Sequence, residues 1–269
     1  MHTDVDRFSF SQIGELRRII EPPGEIELAR ALKNQHLFGA IGRYSHGITH
    51  ELAVNREFAD SDQAAFNLGW WIISAIRVKT LAEFLVPAVA DHSWSVVAAL
   101  NEKQCHAQLI EDVPQARRVD DKIIVKENDL QWVLHRITEF GEMLEVPKFR
   151  LAVEALTTHQ HLVSLRMMAA SLWSGIEALL GIQAELRFRI ALSIASILEP
   201  RGVQRSARYR RVKKLYDIRS KAVHGSTLSE NELISHVAET RKLLSSIICT
   251  MIEAGKVFSE DDIDQLLLG

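Results

Sequence analysis

Arg219 and His224 are the two side chains whose types and spacing best suit chemistry on a phosphate. Arginine presents a fixed fork of donors that can hold two phosphate oxygens, and histidine can exchange a proton near neutral pH. RNA carries its own nucleophile, the 2′-hydroxyl, so proton transfer and one cation would suffice for cleavage without a metal. Five residues on a helix turn about 500°, which separates the two side chains by about 140°. We therefore expect one helix to offer only a loose site.

The two residues stand at the end of the most basic stretch of the chain. Residues 201–221 contain nine Lys or Arg and one acid, a net charge of +8, whereas the other 248 residues together carry −11. A one-signed segment of this kind favours a surface that faces a polyanion. Tyr209 and Tyr216 are available to stack on bases. The candidate RNA-binding residues are Arg208, Arg210, Arg211, Lys213, Lys214 and Lys221.

The same stretch resembles a known family. Arg219 and His224, with Tyr216 before them and Gly225 after them, resemble the R-x4-6-H signature of the HEPN superfamily, and the form LYDIRSKAVHG is most similar to its Apea-like branch. Residues 172–181 resemble the first core helix of that branch, including its acidic residue, here Glu177. The resemblance covers roughly residues 150–255, and Ser220 stands where many active members have Asn, Asp or His.

The resemblance implies a helical bundle that acts as a metal-independent endoribonuclease and needs no cofactor. Arg219 would hold the phosphate and His224 would transfer protons, with Glu177, Ser220 and Tyr216 in support. The expected products are a 2′,3′-cyclic phosphate and a 5′-hydroxyl. HEPN nucleases pair as dimers, so the expected partners are RNA, tRNA among the candidates, and a second copy of the chain. Similar nucleases are toxin-like or anti-phage effectors, which implies a trigger or a regulatory partner protein.

Two other interpretations stay open at the sequence level. The chain could be a catalytically silent HEPN module that binds RNA or a nucleotide, or a structural dimerisation or adaptor protein in a defence complex. Arg219 could equally be an ordinary surface or ion-paired arginine, and His224 could serve only to cap a helix. The intact Arg219 and His224 favour the enzyme.

A second candidate site precedes residue 60. His46 and His50 are four residues apart, with Glu51 next to them, and on a helix they would share a face that could bind zinc. Gly47 weakens such a helix and no third ligand is evident. We therefore expect no metal site there.

The composition is that of an ordinary globular protein. Apolar residues make up 47% of the 269 and charged residues 25%. Cys105 and Cys249 lie far apart without metal-type spacing, which favours buried thiols in a reducing cytoplasm over a disulfide. The polar N-terminus is unlike a signal peptide, and the longest apolar runs are too short to cross a membrane.

The fold is predicted to be mainly α, in two parts. Residues 1–128 form an N-terminal unit of unknown role, with helices over 26–37 and 63–84 and short strands within about 96–125. The strand candidates are Val96–Leu100 and Lys122–Val125, with Pro114 and Asp120–Asp121 between them as turn residues.

Residues 129–269 are predicted to form the HEPN-like helical bundle. Helices are expected from 128 to 143, from 147 towards 159, over 162–180, over 184–198, over 207–224 and from about 229 to 254. Gly181 is expected to end one helix, and residues 260–264 to begin a further short helix. Thr227 with Glu230 and Ser229 with Glu232 both fit a capping box at the start of the last long helix.

Overall fold

A computed structural model describes residues 1–100, 102–112, 123–182 and 185–268 of the chain. These residues form ten α-helices and five short antiparallel strands, so the prediction of a mainly α fold is confirmed. They divide into two compact units, one of residues 1–73, 82–112 and 123–134, the other of residues 74–81 and 135–268. Within the described ranges, every helix is too short or too polar to cross a membrane.

The first unit contains all five strands. Three of them form an antiparallel sheet in chain order, with Phe8 opposite Leu16 and Leu16 opposite Leu52. Two more form a separate antiparallel pair, and a buried apolar cluster around Leu28, Ile41 and Trp94 makes the core. The elements are β1 (Arg7–Ser9), β2 (Gly14–Arg18), α1 (Glu25–Ala31), α2 (Phe38–Ser45), β3 (His50–Val54), β4 (Ala88–Ala90) and β5 (Ala107–Leu109).

The predicted strand Val96–Leu100 is wrong. Residues Val97–Ala99 form a 3₁₀ turn, in which the amide of Ala99 donates to the carbonyl of Val96 over 2.9 Å. The carboxylate of Glu51 accepts hydrogen bonds from the Ser93 hydroxyl (2.7 Å) and the Trp94 amide (2.6 Å), which holds the chain just before this turn. Tertiary contacts therefore override the β-propensity of the two valines.

A strand does lie within the predicted range 96–125, but it is β5. Val125 makes one isolated bridge to Thr3 rather than a strand. The proposed turn residues Pro114, Asp120 and Asp121, and Lys122, lie outside the described residues. The predicted helix over 26–37 is shorter, since α1 ends at Ala31 and residues Gln35–Leu37 make a separate 3₁₀ turn.

Helices account for the regular structure of the second unit, and each predicted helix is present to within a few residues. In α6 the buried residues recur at helical spacing, among them Leu165, Met168, Leu172 and Ile176. The helices are α3 (Asp62–Thr80), which is shared with the first unit, as is α4 (Glu127–Met143), then α5 (Pro147–Thr158), α6 (Leu165–Leu180), α7 (Leu186–Leu198), α8 (Val203–Val223), α9 (Glu230–Glu253) and α10 (Glu260–Leu268).

The predicted end of α6 is confirmed, and of the two predicted starts of α9 the one at Ser229, not the one at Thr227, is its N-cap. Gly181 ends α6 in the left-handed conformation, at φ 67°, which glycine adopts without steric cost. Ser229 accepts from the Glu232 amide while the Glu232 carboxylate accepts from the Ser229 amide, so both halves of the capping box are present. Helix α6 packs against α5 and α9, and α8 packs against α7.

Helices α5, α6 and α9 lie close together at Gly175. A Cβ atom added to Gly175 would lie 2.9 Å from the Cβ of Ala155 and 3.3 Å from a methyl of Leu244. Glycine is therefore needed at this position so that α6 can approach both neighbours. The contact fixes the part of α6 that carries Glu177, two residues further on.

Candidate nucleic-acid interface on helix α8

Helix α8 carries the predicted phosphate-binding and proton-transfer residues on different faces. At 100° per residue, an arc of about 100° holds four Lys or Arg side chains and one His, which we call the outer face: Arg210, Lys213, Lys214, Lys221 and His224. Arg219 lies on the other side of the helix, about 140° from His224. Lys213 is half-buried and the other four outer-face residues are exposed.

Arg219 faces α6, where it forms an ion pair with Glu177. Its Nη2 atom lies 3.1 Å from Oε1 and 3.2 Å from Oε2 of the carboxylate, and the two side chains are only 20% and 23% exposed. The guanidinium also lies over the ring of Tyr216, 5.6 Å from its centre. Burial raises the pKa of Glu177 and the Arg219 charge opposes that shift. Glu177, predicted only as a supporting residue, is thus the ion-pair partner of Arg219.

A buried aromatic group supports this pair from the interior. Tyr216 packs edge-on against Trp173 with ring centres 5.3 Å apart, and Trp173 Nε1 donates to His236 Nε2 over 3.1 Å. His236 is 2% exposed, and burial lowers its pKa to about 4, so it is neutral at physiological pH. From the sequence, no role was predicted for Trp173 or His236. His236 gives no signal of its own there, because it is a single histidine among the apolar positions of α9.

Several arginines of α8 and of the turn before it form ion pairs or hydrogen bonds with other groups of the protein. Arg208 pairs with Glu199 (2.8 Å), and Arg211 forms a two-point ion pair with Glu239. Arg201 and Arg205 instead donate to the carbonyls at the end of α10, those of Leu267 (2.7 Å) and Leu266 (3.0 Å).

The outer face keeps its charge. Arg210, Lys214 and Lys221 make no ion pair or hydrogen bond through their side chains in the described part of the chain, and Lys213 lies over the ring of Tyr209 at 5.1 Å. The one acid on this side, Asp217, is held by Arg187 in a two-point ion pair of 2.6 and 2.7 Å. That pair lowers the pKa of Asp217. The outer face is therefore available to an anion without the loss of an ion pair.

His224 lies directly after α8, on the turn that ends the helix. Its amide donates to the carbonyl of Ser220 over 3.0 Å, its side chain is exposed, and Gly225 follows in the left-handed conformation at φ 77°. Among the described residues, no hydrogen bond or ion pair joins His224 to Arg219, Glu177 or Tyr216. A single chain brings Arg219, Glu177 and Tyr216 together and leaves His224 apart from them.

Sequence reasoning also missed Arg166, which reaches this turn from α6. Its guanidinium donates to the carbonyls of Ala222 (2.6 Å) and Ser226 (2.6 Å), one on each side of His224. A pattern could not have revealed it, because its partners are backbone atoms more than fifty positions away.

Among the residues that the structure describes, the group that could hold a metal lies in the first unit and not near α8. Ligand atoms of Asp91, His92 and Cys105 lie within 4.8 Å of one another, although His92 Nδ1 and Asp91 Oδ1 are at hydrogen-bonding distance, 2.7 Å. The shared helix face considered for His46 and His50 is wrong, because α2 ends at Ser45 and His50 begins β3. Cys105 is buried and Cys249 partly buried, both as free thiols.

Comparison with known proteins adds no relative to this description. No protein-family model, no curated protein and no solved structure matches the chain. The likeness to HEPN proteins therefore rests on the residues around Glu177, Arg219 and His224, and its functional implications are proposals.

Proposed function

We propose that this protein is a metal-independent endoribonuclease of the HEPN type that acts as a homodimer. The observation that supports it best is the outer face of α8, where cations that form no ion pair extend along the helix to an exposed histidine. From Arg210 to His224 the face is about 21 Å long, which is enough for several phosphates of an RNA strand. RNA is favoured over DNA because only RNA supplies the 2′-hydroxyl as nucleophile.

In this proposal the two residues have separate tasks. His224 takes the proton of the 2′-hydroxyl or returns one to the departing 5′-oxygen, and Arg219 stabilises the added charge on the phosphate. Since the two side chains leave α8 on different sides, a second copy of the chain would complete the site. Two-fold pairing is the commonest symmetry of soluble assemblies.

The biological role follows from the same resemblance. We propose a toxin-like or anti-phage effector that cleaves cellular RNA, tRNA among the candidates, in the cytoplasm. The first unit would then sense a trigger or restrain the nuclease. This step rests on analogy with similar nucleases.

One observation favours a second candidate, a silent HEPN module that binds RNA without cutting it. Arg219 is occupied by Glu177, so a phosphate must compete with a carboxylate for the same guanidinium. Ser220, in the place where many active members have Asn, Asp or His, points the same way. Such a module would keep the outer face as its RNA-binding surface.

Incubation of total RNA and tRNA with the wild type and with His224→Ala, in EDTA, tests the proposal. The enzyme predicts 2′,3′-cyclic phosphate and 5′-hydroxyl ends from the wild type and none from the variant. Binding without new ends would support the silent module. Cleavage that persists in His224→Ala, or that needs a metal, would contradict the proposed mechanism.

A mixing experiment tests the shared site. Arg219→Ala and His224→Ala protomers are each expected to be inactive alone. If a site takes one residue from each copy, mixed dimers regain part of the activity. If both residues must come from one copy, the mixture stays inactive, and a fully active monomer would exclude the dimer proposal.

A further inference from the structure

The turn that carries His224 is held by one side chain from a different helix. The Arg166 guanidinium donates to the carbonyls of Ala222 (2.6 Å) and Ser226 (2.6 Å), and it lies 3.4 Å from that of Lys221. Residues 222 and 226 bracket His224 and Gly225. Arg166 thereby ties the two ends of this turn to α6, the helix that also carries Glu177.

The contact has an electrostatic effect as well as a geometric one. The last carbonyls of a helix lack partners within the helix and give its C-terminal end a partial negative charge. His224 stands at that end of α8, where an approaching phosphate would be repelled. A guanidinium bound to these carbonyls opposes the repulsion, because it places a full positive charge beside them.

We propose that Arg166 is a positioning residue for His224. Its guanidinium fixes the turn that carries His224 and reduces the electrostatic repulsion between the end of α8 and a phosphate. This inference rests on the proposed ribonuclease function. It assigns Arg166 no contact with the reacting atoms, since the side chain is occupied by backbone carbonyls. The role depends on a fork of donors that reaches two carbonyls at once, which a lysine can reproduce only in part.

The same contacts could serve only to stabilise the fold, so the test needs measurements that separate the two roles. Arg166→Met removes the donors and keeps much of the length of the side chain, while Arg166→Lys keeps the charge. Arg201→Met is the matched control, because Arg201 also donates to a carbonyl at a helix end, that of Leu267 in α10.

Hydrogen exchange tests the clamp without reference to activity. The amides of His224 and Ser226 are bonded to the carbonyls of Ser220 and Lys221, both over 3.0 Å. In Arg166→Met these two amides should exchange about tenfold faster or more, because the turn opens locally. Amides in the middle of α6 and α9 should keep their wild-type exchange rates in Arg166→Met. In Arg201→Met, the amides of His224 and Ser226 and those in the middle of α6 and α9 should all exchange at wild-type rates. Unchanged exchange at 224 and 226 would overturn the proposal whether or not the protein cleaves RNA.

Steady-state cleavage then tests the link to function. Arg166→Met should lower kcat by about a hundredfold, with a smaller change in KM, because His224 is misplaced relative to the scissile phosphate. Arg166→Lys should recover a large part of kcat, and Arg201→Met should match the wild type. Faster exchange together with an unchanged kcat would reject the positioning role. A wild type that cleaves no RNA would refute the proposed function instead, and the exchange data would still decide whether Arg166 holds the turn.

Discussion

Helix α8 has two faces that use positive charge differently. On the inner side Arg219 is mostly buried, paired with Glu177 and stacked on Tyr216. On the outer side Arg210, Lys214 and Lys221 are exposed, with no ion pair in the described structure. The sequence presents both sides as one basic run. Only the contacts distinguish cations that hold the fold together from cations that are available to a ligand.

This difference changes how the net charge of such a run should be interpreted. The +8 of residues 201–221 includes Arg208 and Arg211, which are bound to Glu199 and Glu239. A cation that already has a carboxylate partner gains less from a phosphate than one surrounded by water. The RNA-binding role predicted for Arg208 and Arg211 stays a prediction, and the outer face is the stronger candidate.

The sharpest contrast should come from the two proposed site residues. His224→Ala and Arg219→Ala should each reduce RNA cleavage by about a thousandfold or more. They should differ in stability: His224→Ala should change the free energy of unfolding by at most about 0.5 kcal/mol, because the side chain is exposed. Arg219→Ala should cost about 2 kcal/mol, because the Glu177 carboxylate loses its cation.

Urea unfolding and cleavage assays on both variants measure these effects. The double variant Glu177→Gln with Arg219→Ala is the control, and it should recover most of the lost stability. Without Arg219, burial alone acts on Glu177 and raises its pKa further, so the loss in Arg219→Ala should shrink as the pH falls. Equal stabilities of the two single variants would break the contrast between the faces.

Acid should destabilise the buried interior of the second unit, which contains His159 and His236. Burial lowers the pKa of both His236 and His159 to about 4. Since the unfolded chain takes up these protons near pH 6.5, the stability they contribute is complete above that pH and is lost as the pH falls towards 4. Each histidine should account for roughly 3 kcal/mol over this interval.

Urea unfolding at several pH values checks this expectation on the wild type and on His236→Gln. Glutamine can still accept the hydrogen bond from Trp173 but does not titrate. The variant should show a flatter dependence of stability on pH between 6.5 and 4. An identical slope in the two proteins would mean that His236 is not buried in its neutral form.

Charge removal from the two groups of cations compares them directly. Replacing Arg210, Lys214 and Lys221 by Gln should reduce the slope of log affinity against log salt by about 2, at about 0.7 per phosphate contact. Replacing Arg205, Arg208 and Arg211, whose side chains already bind protein groups, should change it much less. Fluorescence anisotropy with a single-stranded RNA measures both slopes. Equal reductions would show that the ion pairs do not keep these arginines from RNA.

The smallest effect is expected from Glu177→Gln. This change removes the competing charge from Arg219 while keeping the shape of the side chain, so RNA should bind a few-fold more tightly. The same anisotropy assay at fixed salt measures it. Weaker binding would mean that Glu177 holds Arg219 in the geometry the phosphate needs, rather than competing for it.

The sequence predicts the second unit better than the first. In a long helix the apolar residues repeat at helical spacing over many positions, and this repeat can be recognised in the sequence. Leu165, Met168 and Leu172 repeat at helical spacing, and Gly181, Ser229 and Glu232 mark helix ends by local chemistry. Strands β1 to β3 have only three to five residues and no clear alternation, so they were missed. The 3₁₀ turn at Val97 depends on Glu51, far away in the chain, which local propensity cannot register.

For the candidate site, the angular separation of Arg219 and His224 could be predicted from the helix repeat alone. The resemblance gives Glu177 only as a supporting residue, and neither its ion pair with Arg219 nor the position of that guanidinium over Tyr216 could be predicted from it. Arg166 was beyond prediction because it binds carbonyl oxygens, which every residue type carries.

The close contact at Gly175 has a kinetic consequence for Arg219. Because α6 is packed tightly against α5 and α9 beside Glu177, the carboxylate cannot withdraw by a shift of its helix. Arg219 can leave it only by rotation about side-chain bonds, a motion that takes picoseconds to nanoseconds in exposed residues. If partial burial slows that rotation about a thousandfold, the proposed exchange of the guanidinium between carboxylate and phosphate would still be faster than typical turnover. The ion pair would then set how strongly a phosphate is held at Arg219 without limiting how fast it arrives.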